Sequence, residues 1–152
     1  MGKKFYYFLL RFTIVHLITY VFIGVLFMNV QSYANIFISI EHFESLRASN
    51  SLILRTALLW QLLRGLFLAA ILYPFYGIII KSEYALLKLF FLILGLSILG
   101  SLFPAAGSIE GFIYRDLLLT DHLTALAKAA IQIFVFSWFF VKWENRTERD
   151  YS

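Results

Sequence analysis

The chain lacks cysteine altogether and has few charged residues, and these two absences exclude several classes of protein. Without cysteine there is no disulfide framework, no thiolate metal site and no thiol nucleophile. Charged residues make up 14% of the 152 residues, whereas soluble domains contain about a quarter. The chain therefore has too little polar surface for a water-soluble fold. Because 61% of the residues are hydrophobic, we predict an integral membrane protein.

The sequence also lacks the motifs that carry chemistry in enzymes. It contains no H-E-x-x-H helix, no glycine-rich phosphate loop and no G-x-S-x-G elbow. The net charge of +4 is scattered along the chain rather than gathered into a patch, which argues against nucleic acid as a partner. His16 is far in sequence from His42 and His122, and no ligand set for a metal emerges. We predict no catalytic residue, no cofactor and no metal site.

Four apolar runs are long enough, or nearly so, to cross a bilayer as helices, which takes about 20 residues. Lipid offers no hydrogen bonds, so a spanning backbone must satisfy its own. We predict an all-α, polytopic four-transmembrane-helix bundle that forms a single domain over residues 1–152, with spans at approximately 8–30, 56–80, 84–103 and 122–142. Pro74 should bend the second span without ending it, since apolar sequence continues to Ile80.

Two segments between the spans have an interfacial character. In residues 31–51, apolar side chains recur at helical spacing with charged ones between them, which predicts a short amphipathic helix. A glycine-bracketed turn, Gly107 to Gly111, is followed by an aromatic and aliphatic stretch at 112–119. We expect both segments in the outer loops, at the membrane surface.

The distribution of basic residues predicts the orientation of the chain. Lysine and arginine concentrate at both termini and in the link between the second and third spans, and cytoplasmic flanks favour such residues. Both termini should therefore be cytoplasmic, in a multi-pass protein of the cell membrane. A cleaved signal peptide is the alternative for the first run. That run is longer than the usual apolar core of about 7–15 residues and contains Arg11 and His16.

Two cations fall inside the predicted spans, where charge is expensive. Arg64 lies in the second span, and Lys128 lies in the fourth on one helix face with Thr124 and Gln132. We predict a polar vestibule on the outer side that would attract an anionic ligand or a lipid headgroup. Its candidate residues are Gln61, Arg64, Glu110, Asp116, Asp121, Thr124, Lys128 and Gln132. The alternatives are an Arg64 that snorkels to lipid phosphates and a Lys128 that is structural, either neutral or paired.

The first span has a polar stripe of its own. Thr13, His16 and Tyr20 share one helix face. A histidine inside a membrane is typically hydrogen-bonded across helices, and a proton relay is the alternative function.

Small residues four apart predict close helix packing. Such pairs are Gly65 with Ala69, Ser97 with Ser101, and Ala125 with Ala129. The spacing fits packing within one chain as well as packing between copies or against another membrane protein.

Three classes of function remain. We expect a small structural or accessory subunit of a membrane assembly. The alternative is an oligomeric carrier or channel for a small anion, a lipid headgroup or a proton, which would use Arg64 and Lys128. An intramembrane enzyme is the third class and the least favoured. The expected partners are the lipid bilayer and either copies of the chain or another membrane protein.

Overall fold

The structure of the protein is a computed structural model that describes residues 2–28, 57–99, 105–114 and 116–149. Helix accounts for 89% of these residues, and none of them is in a strand, which confirms the all-α prediction. The helices are α1 (Gly2–Met28), α2 (Ala57–Leu72), a 3₁₀ turn (Tyr73–Phe75), α3 (Tyr76–Ile79), α4 (Ala85–Leu99), α5 (Ile109–Tyr114) and α6 (Leu119–Arg149). The predicted amphipathic helix at 31–51 lies outside the described residues.

Three segments of the described chain are long and apolar enough to cross a membrane. They are Lys4–Phe27, Leu58–Ile79 and Leu119–Thr147. Helix α4 is apolar but shorter, with 15 residues, or about 22 Å of helix against the ~30 Å of a hydrocarbon layer. The predicted third span, 84–103, extends beyond α4 into residues that the structure does not describe. The described chain is therefore helical and apolar, and three of its segments are long enough to cross a membrane.

Helices α1 and α6 pack side by side in opposite directions. The ring of Phe8 lies 5.4 Å from that of Phe140, and the ring of Phe12 lies 4.8 Å from that of Phe136. A step of four residues forward along α1 thus corresponds to a step of four residues back along α6, as expected for antiparallel helices. The start of α1 and the end of α6 lie at the same end of the bundle, which we call the terminal end.

The other two long helices also run antiparallel to their neighbours. Helix α2 packs against α1, with the rings of Tyr73 and Phe5 4.8 Å apart. Helix α4 packs against α6, where the Phe90 ring lies 5.9 Å from that of Phe134 and Leu86 lies beside Lys142. The chain therefore reverses direction from each long helix to the next.

An aromatic core forms where the four long helices meet near the terminal end. Phe8 and Phe12 of α1, Phe140 of α6 and Leu89 of α4 are at most 3% exposed. Phe12, Phe136 and Phe140 contact one another with ring centroids 4.8–5.7 Å apart, and such ring pairs stabilise a core beyond the effect of burial alone. Aromatic contacts therefore fix how α1 and α6 face each other.

At Pro74, where a bend is predicted, the chain changes from an α-helix to a short 3₁₀ turn. Helix α2 ends at Leu72, a 3₁₀ turn covers Tyr73–Phe75, and α3 then continues to Ile79. Proline has no amide hydrogen and its ring displaces the carbonyl one turn earlier, so the α-helical pattern is interrupted there. The chain stays helical, as predicted.

Gly65 allows α2 to approach α1 closely. A Cβ atom at Gly65 would lie 3.2 Å from the side chains of both Thr13 and His16. Ala69, one turn later on the same face, is fully buried. This small-residue pair therefore serves packing within the chain, one of the uses that its spacing predicts.

We expect Gly65→Leu to separate α1 from α2 and to destabilise the bundle by about 1–3 kcal/mol, the usual effect of overpacking. Unfolding in detergent, followed by tryptophan fluorescence, measures the change. Gly24→Leu is the matched control, because a Cβ at Gly24 would meet nothing within 4 Å. Equal stability of the two variants would contradict the close approach at Gly65.

Candidate functional site

The structure connects the two predicted groups of polar residues. Nε2 of His16 on α1 donates a hydrogen bond to the side-chain oxygen of Gln61 on α2, at 3.4 Å. His16 belongs to the predicted stripe and Gln61 to the predicted vestibule. Both side chains are half-buried. The histidine is thus bonded across helices, which is the simpler of its two predicted roles.

Tyr20 and Lys128 lie at the same level of the bundle. The register that sets Phe8 beside Phe140 and Phe12 beside Phe136 continues along both helices to Tyr20 beside Lys128. The side chain of Lys128 is half-buried. The α1 stripe therefore faces α2 at His16 and α6 at Tyr20.

The remaining vestibule residues do not form a closed cluster. Arg64, Glu110 and Asp116 are exposed, and Asp121, Thr124 and Gln132 are half-buried. The Thr124 hydroxyl donates to the carbonyl oxygen of Thr120 in its own helix, at 2.7 Å. No carboxylate of the described residues is within ion-pair distance of Arg64. Arg64 is thus not paired with the loop carboxylates that the structure describes.

Thr13, the third member of the stripe, is 5% exposed. Its hydroxyl has no hydrogen-bond partner among the residues that the structure describes. Its methyl group faces Gly65, so Thr13 contributes to the contact between α1 and α2.

A buried ion pair that the sequence did not suggest joins α1 to α6. Nε and Nη2 of Arg11 donate to the two carboxylate oxygens of Glu144, at 2.6 and 3.1 Å. The hydroxyl of Tyr76 on α3 donates to Oε2 of Glu144 at 3.0 Å. Glu144 is 1% exposed, and the Arg11 side chain is 18% exposed. Three donors therefore satisfy a carboxylate that is almost completely removed from solvent.

The reason for this arrangement is the cost of burying a charge. An isolated carboxylate in an apolar interior is strongly unfavourable unless it is paired and hydrogen-bonded. A guanidinium binds a carboxylate through two parallel hydrogen bonds, which gives a strong and well-oriented pair. Glu144 follows Phe136 and Phe140 at intervals of four residues, so it lies on the core face of α6. From this four-residue spacing alone, the sequence could have predicted that Glu144 is buried in the core.

The turn at 105–114 is held against α6 by His122. The amide of Gly107, whose φ is +85°, donates to Nδ1 of His122 at 3.2 Å. His122 is 5% exposed, and its ring contacts that of Phe112 at 5.6 Å. The Ser108 hydroxyl donates to the Ala105 carbonyl and accepts from the Gly111 amide. Ser108 and His122 thus have structural roles in this turn.

The described residues contain no group of three side chains that could hold a metal ion. Comparisons with models of protein families, with curated proteins and with solved structures found no match for this chain. Its function must therefore be argued from its own geometry.

Proposed function

We propose that the chain is a four-pass membrane protein with both termini in the cytoplasm, and that it is a structural or accessory subunit of a membrane assembly. In this proposal one face of α2 docks against a membrane-embedded helix of a partner. The partner helix carries a carboxylate that pairs with Arg64.

The direction of α4 supports four passes. Helix α2 and α3 lead the chain to the terminal end, where the turn before α4 lies, and α4 then runs antiparallel to α6. The turn that carries Gly107 packs against Leu126, in the first half of α6 and far from the terminal end. Helix α4 therefore runs from the terminal end toward the level of this turn, which supports a further pass between α3 and α6. The fourth pass rests on this connection rather than on the length of α4.

The observation that carries the docking proposal is the exposure of Arg64. The side of α2 that faces away from α1 contains Trp60, Leu63, Phe67 and Ile71, which are 48–68% exposed, with Arg64 among them. Exposed apolar side chains are expected in lipid and indicate no partner by themselves. An arginine among them is different, because a cation in the hydrocarbon layer costs at least about 2.5 kcal/mol.

The described chain does not offset that cost. No described carboxylate pairs with Arg64, and about 9 Å of helix separates Arg64 from Leu58, where the apolar segment begins. A carboxylate on a neighbouring helix would neutralise the guanidinium at its own depth. Arg64 is therefore suited to hold a partner in place.

The part of the core that the structure describes near the terminal end leaves little space for a pathway through a single chain. The void among the core residues is about 10 Å³ and is lined by apolar side chains such as Phe12, Leu72 and Leu89. This space holds no more than one water molecule. Transport would therefore need a lumen shared by several copies, so the accessory role is the simpler proposal.

Photocrosslinking in native membranes tests the proposal. A photoreactive amino acid in place of Phe67, one turn from Arg64, should give a discrete product with a membrane protein. The crosslinked segment should be an apolar helix that contains Asp or Glu. Arg64→Leu should reduce the yield by about tenfold or more, because charged hydrogen bonds contribute about 1.5–3 kcal/mol. Arg64→Lys, which keeps the positive charge, should retain most of the product.

The matched control places the same photoreactive group at Phe139 of α6, which is 50% exposed and lies outside the docking face. Crosslinks to lipid alone at position 67 would contradict the docking proposal, and so would equal yields from the parent chain and Arg64→Leu. Crosslinks between copies of this chain, together with anion flux into liposomes that Lys128→Met abolishes, would support the oligomeric carrier instead.

A further inference from the structure

A groove lies between the start of α4 and the end of α6, on the surface of the bundle. Its volume is about 450 Å³, and it is lined by Leu86, Trp138, Val141, Lys142, Asn145 and Arg146. We call it the cationic groove. The volume falls within the range of about 300–1,000 Å³ that is typical of small-molecule sites. The contacts between α4 and α6 described above leave this space unfilled.

The positive charge of the cationic groove is uncompensated within the described chain. Neither Lys142 nor Arg146 is in an ion pair with a described carboxylate. Glu144 lies between them in sequence, but it points to the opposite side of α6 and binds Arg11 there. The buried ion pair thus holds the carboxylate of Glu144 away from the groove.

The lining of the cationic groove is arranged in two parts. Lys142, Asn145 and Arg146 form a polar part with two cations and one amide on one helix face, and Nζ of Lys142 lies 4.5 Å from the centre of the Trp138 ring. Leu86 and Val141 add an apolar wall. A ligand that matches both parts has an anionic group joined to a hydrocarbon chain.

The position along the bundle also fits such a ligand. The register of α1 and α6 places Lys142 near the start of α1, at the edge of the apolar segment that begins at Lys4. Tryptophan is typical of the membrane interface, and lysine and arginine at helix ends reach lipid headgroups. With the apolar segments across a bilayer, as proposed above, the groove would lie near the phosphate groups of the leaflet at the terminal end.

We propose that the cationic groove binds an anionic phospholipid from the leaflet at the terminal end of the bundle. Lys142, Arg146 and Asn145 bind the phosphate group, and Trp138, Leu86 and Val141 contact the first part of an acyl chain. The binding site rests on the membrane insertion of the proposed function but not on a protein partner at Arg64.

Native mass spectrometry of the full chain in mild detergent tests this site. The probes are phosphatidylglycerol and phosphatidylcholine with identical acyl chains. We expect phosphatidylglycerol to bind at least about tenfold more tightly. Lys142→Gln combined with Arg146→Gln should weaken phosphatidylglycerol by about 30-fold, about fivefold for each cation near the membrane surface, and should weaken phosphatidylcholine much less, because its choline cation offsets the charge of its phosphate. Equal affinities for the two lipids in the parent chain would overturn the proposal.

Two further variants separate the groove from general attraction by positive charge. Lys4→Gln removes an exposed cation from α1 that does not line the groove and should change the affinity less than twofold. Leu86→Trp fills the groove with both cations intact and should weaken phosphatidylglycerol as well. An equal loss in Lys4→Gln and in the double variant would overturn the site, as would unchanged binding in Leu86→Trp.

Inorganic phosphate distinguishes a lipid from a soluble anion. Excess phosphate should leave phosphatidylglycerol bound, because the acyl chain contributes to the affinity. Displacement of the lipid by phosphate would show that the groove takes a free anion and would overturn the lipid proposal. The Phe67 crosslinking experiment is independent of these results, so failure of one proposal is distinguishable from failure of the other.

Discussion

Replacing Glu144 with leucine is expected to destabilise the bundle by about 3–5 kcal/mol, the usual effect of removing one partner from a buried ion pair. The substitution leaves the Arg11 guanidinium without its carboxylate and the Tyr76 hydroxyl without its acceptor. Unfolding by a denaturing detergent, followed by tryptophan fluorescence and circular dichroism, measures the loss.

The double variant with Arg11→Met and Glu144→Leu tests whether the pair acts as a unit. Apolar residues of similar volume in place of both partners are often neutral or stabilising, so the double variant should recover most of the lost stability. Arg146→Met, which removes an exposed charge from the same helix, should change stability by less than about 0.5 kcal/mol. A double variant no more stable than Glu144→Leu alone would show that the two residues are energetically independent.

Gly111→Ala is expected to disrupt the turn at 105–114. A Cβ atom at Gly111 would lie 1.8 Å from the carbonyl oxygen of Ala105 and 2.6 Å from its carbon. Both atoms belong to the backbone, so a side-chain rotation cannot relieve the clash. We expect a cost of about 3 kcal/mol or more within the turn, at the upper limit of overpacking effects.

Hydrogen exchange measures this effect at the amides of Gly111 and Phe112, which bond to Ser108. Their exchange should become faster by about 100-fold or more, as a cost of about 3 kcal/mol implies. Gly95→Ala is the matched control, because a Cβ there would meet nothing within 4 Å and α4 should become slightly more stable. Unchanged exchange at Gly111 and Phe112 would contradict the clash.

Composition and run length were sufficient to predict the helical class and three apolar helices that are long enough to cross a membrane. Lipid restricts a crossing backbone to few conformations, so an apolar run such as the one that contains Phe12 carries a strong signal. Pro74 was predictable for a similar reason, because its ring acts locally on the helix. The predicted third span is not supported by length, since α4 has 15 residues.

The candidate sites depended on contacts between residues distant in sequence, which local patterns do not specify. In the sequence, Arg11 belongs to the basic residues that are expected at the cytoplasmic flank of the first span. Only the packing of α1 on α6 shows that it reaches Glu144, 133 positions away. His16 and Gln61 lie on different helices, so spacing along each helix places them in separate polar groups. Their hydrogen bond follows from the close approach at Gly65, a consequence of register. The sequence therefore predicts which residues share a helix face, but it does not predict which residues of another helix they contact.

Helix α6 runs without interruption over 31 residues, about 46 Å, and its firmest contact is the aromatic layer at Phe136 and Phe140. The middle of that layer lies about 28 Å from the start of the helix and about 17 Å from its end, so it can act as a pivot for the whole helix. A tilt of about 5° around it would shift the two ends by about 2 Å in opposite directions.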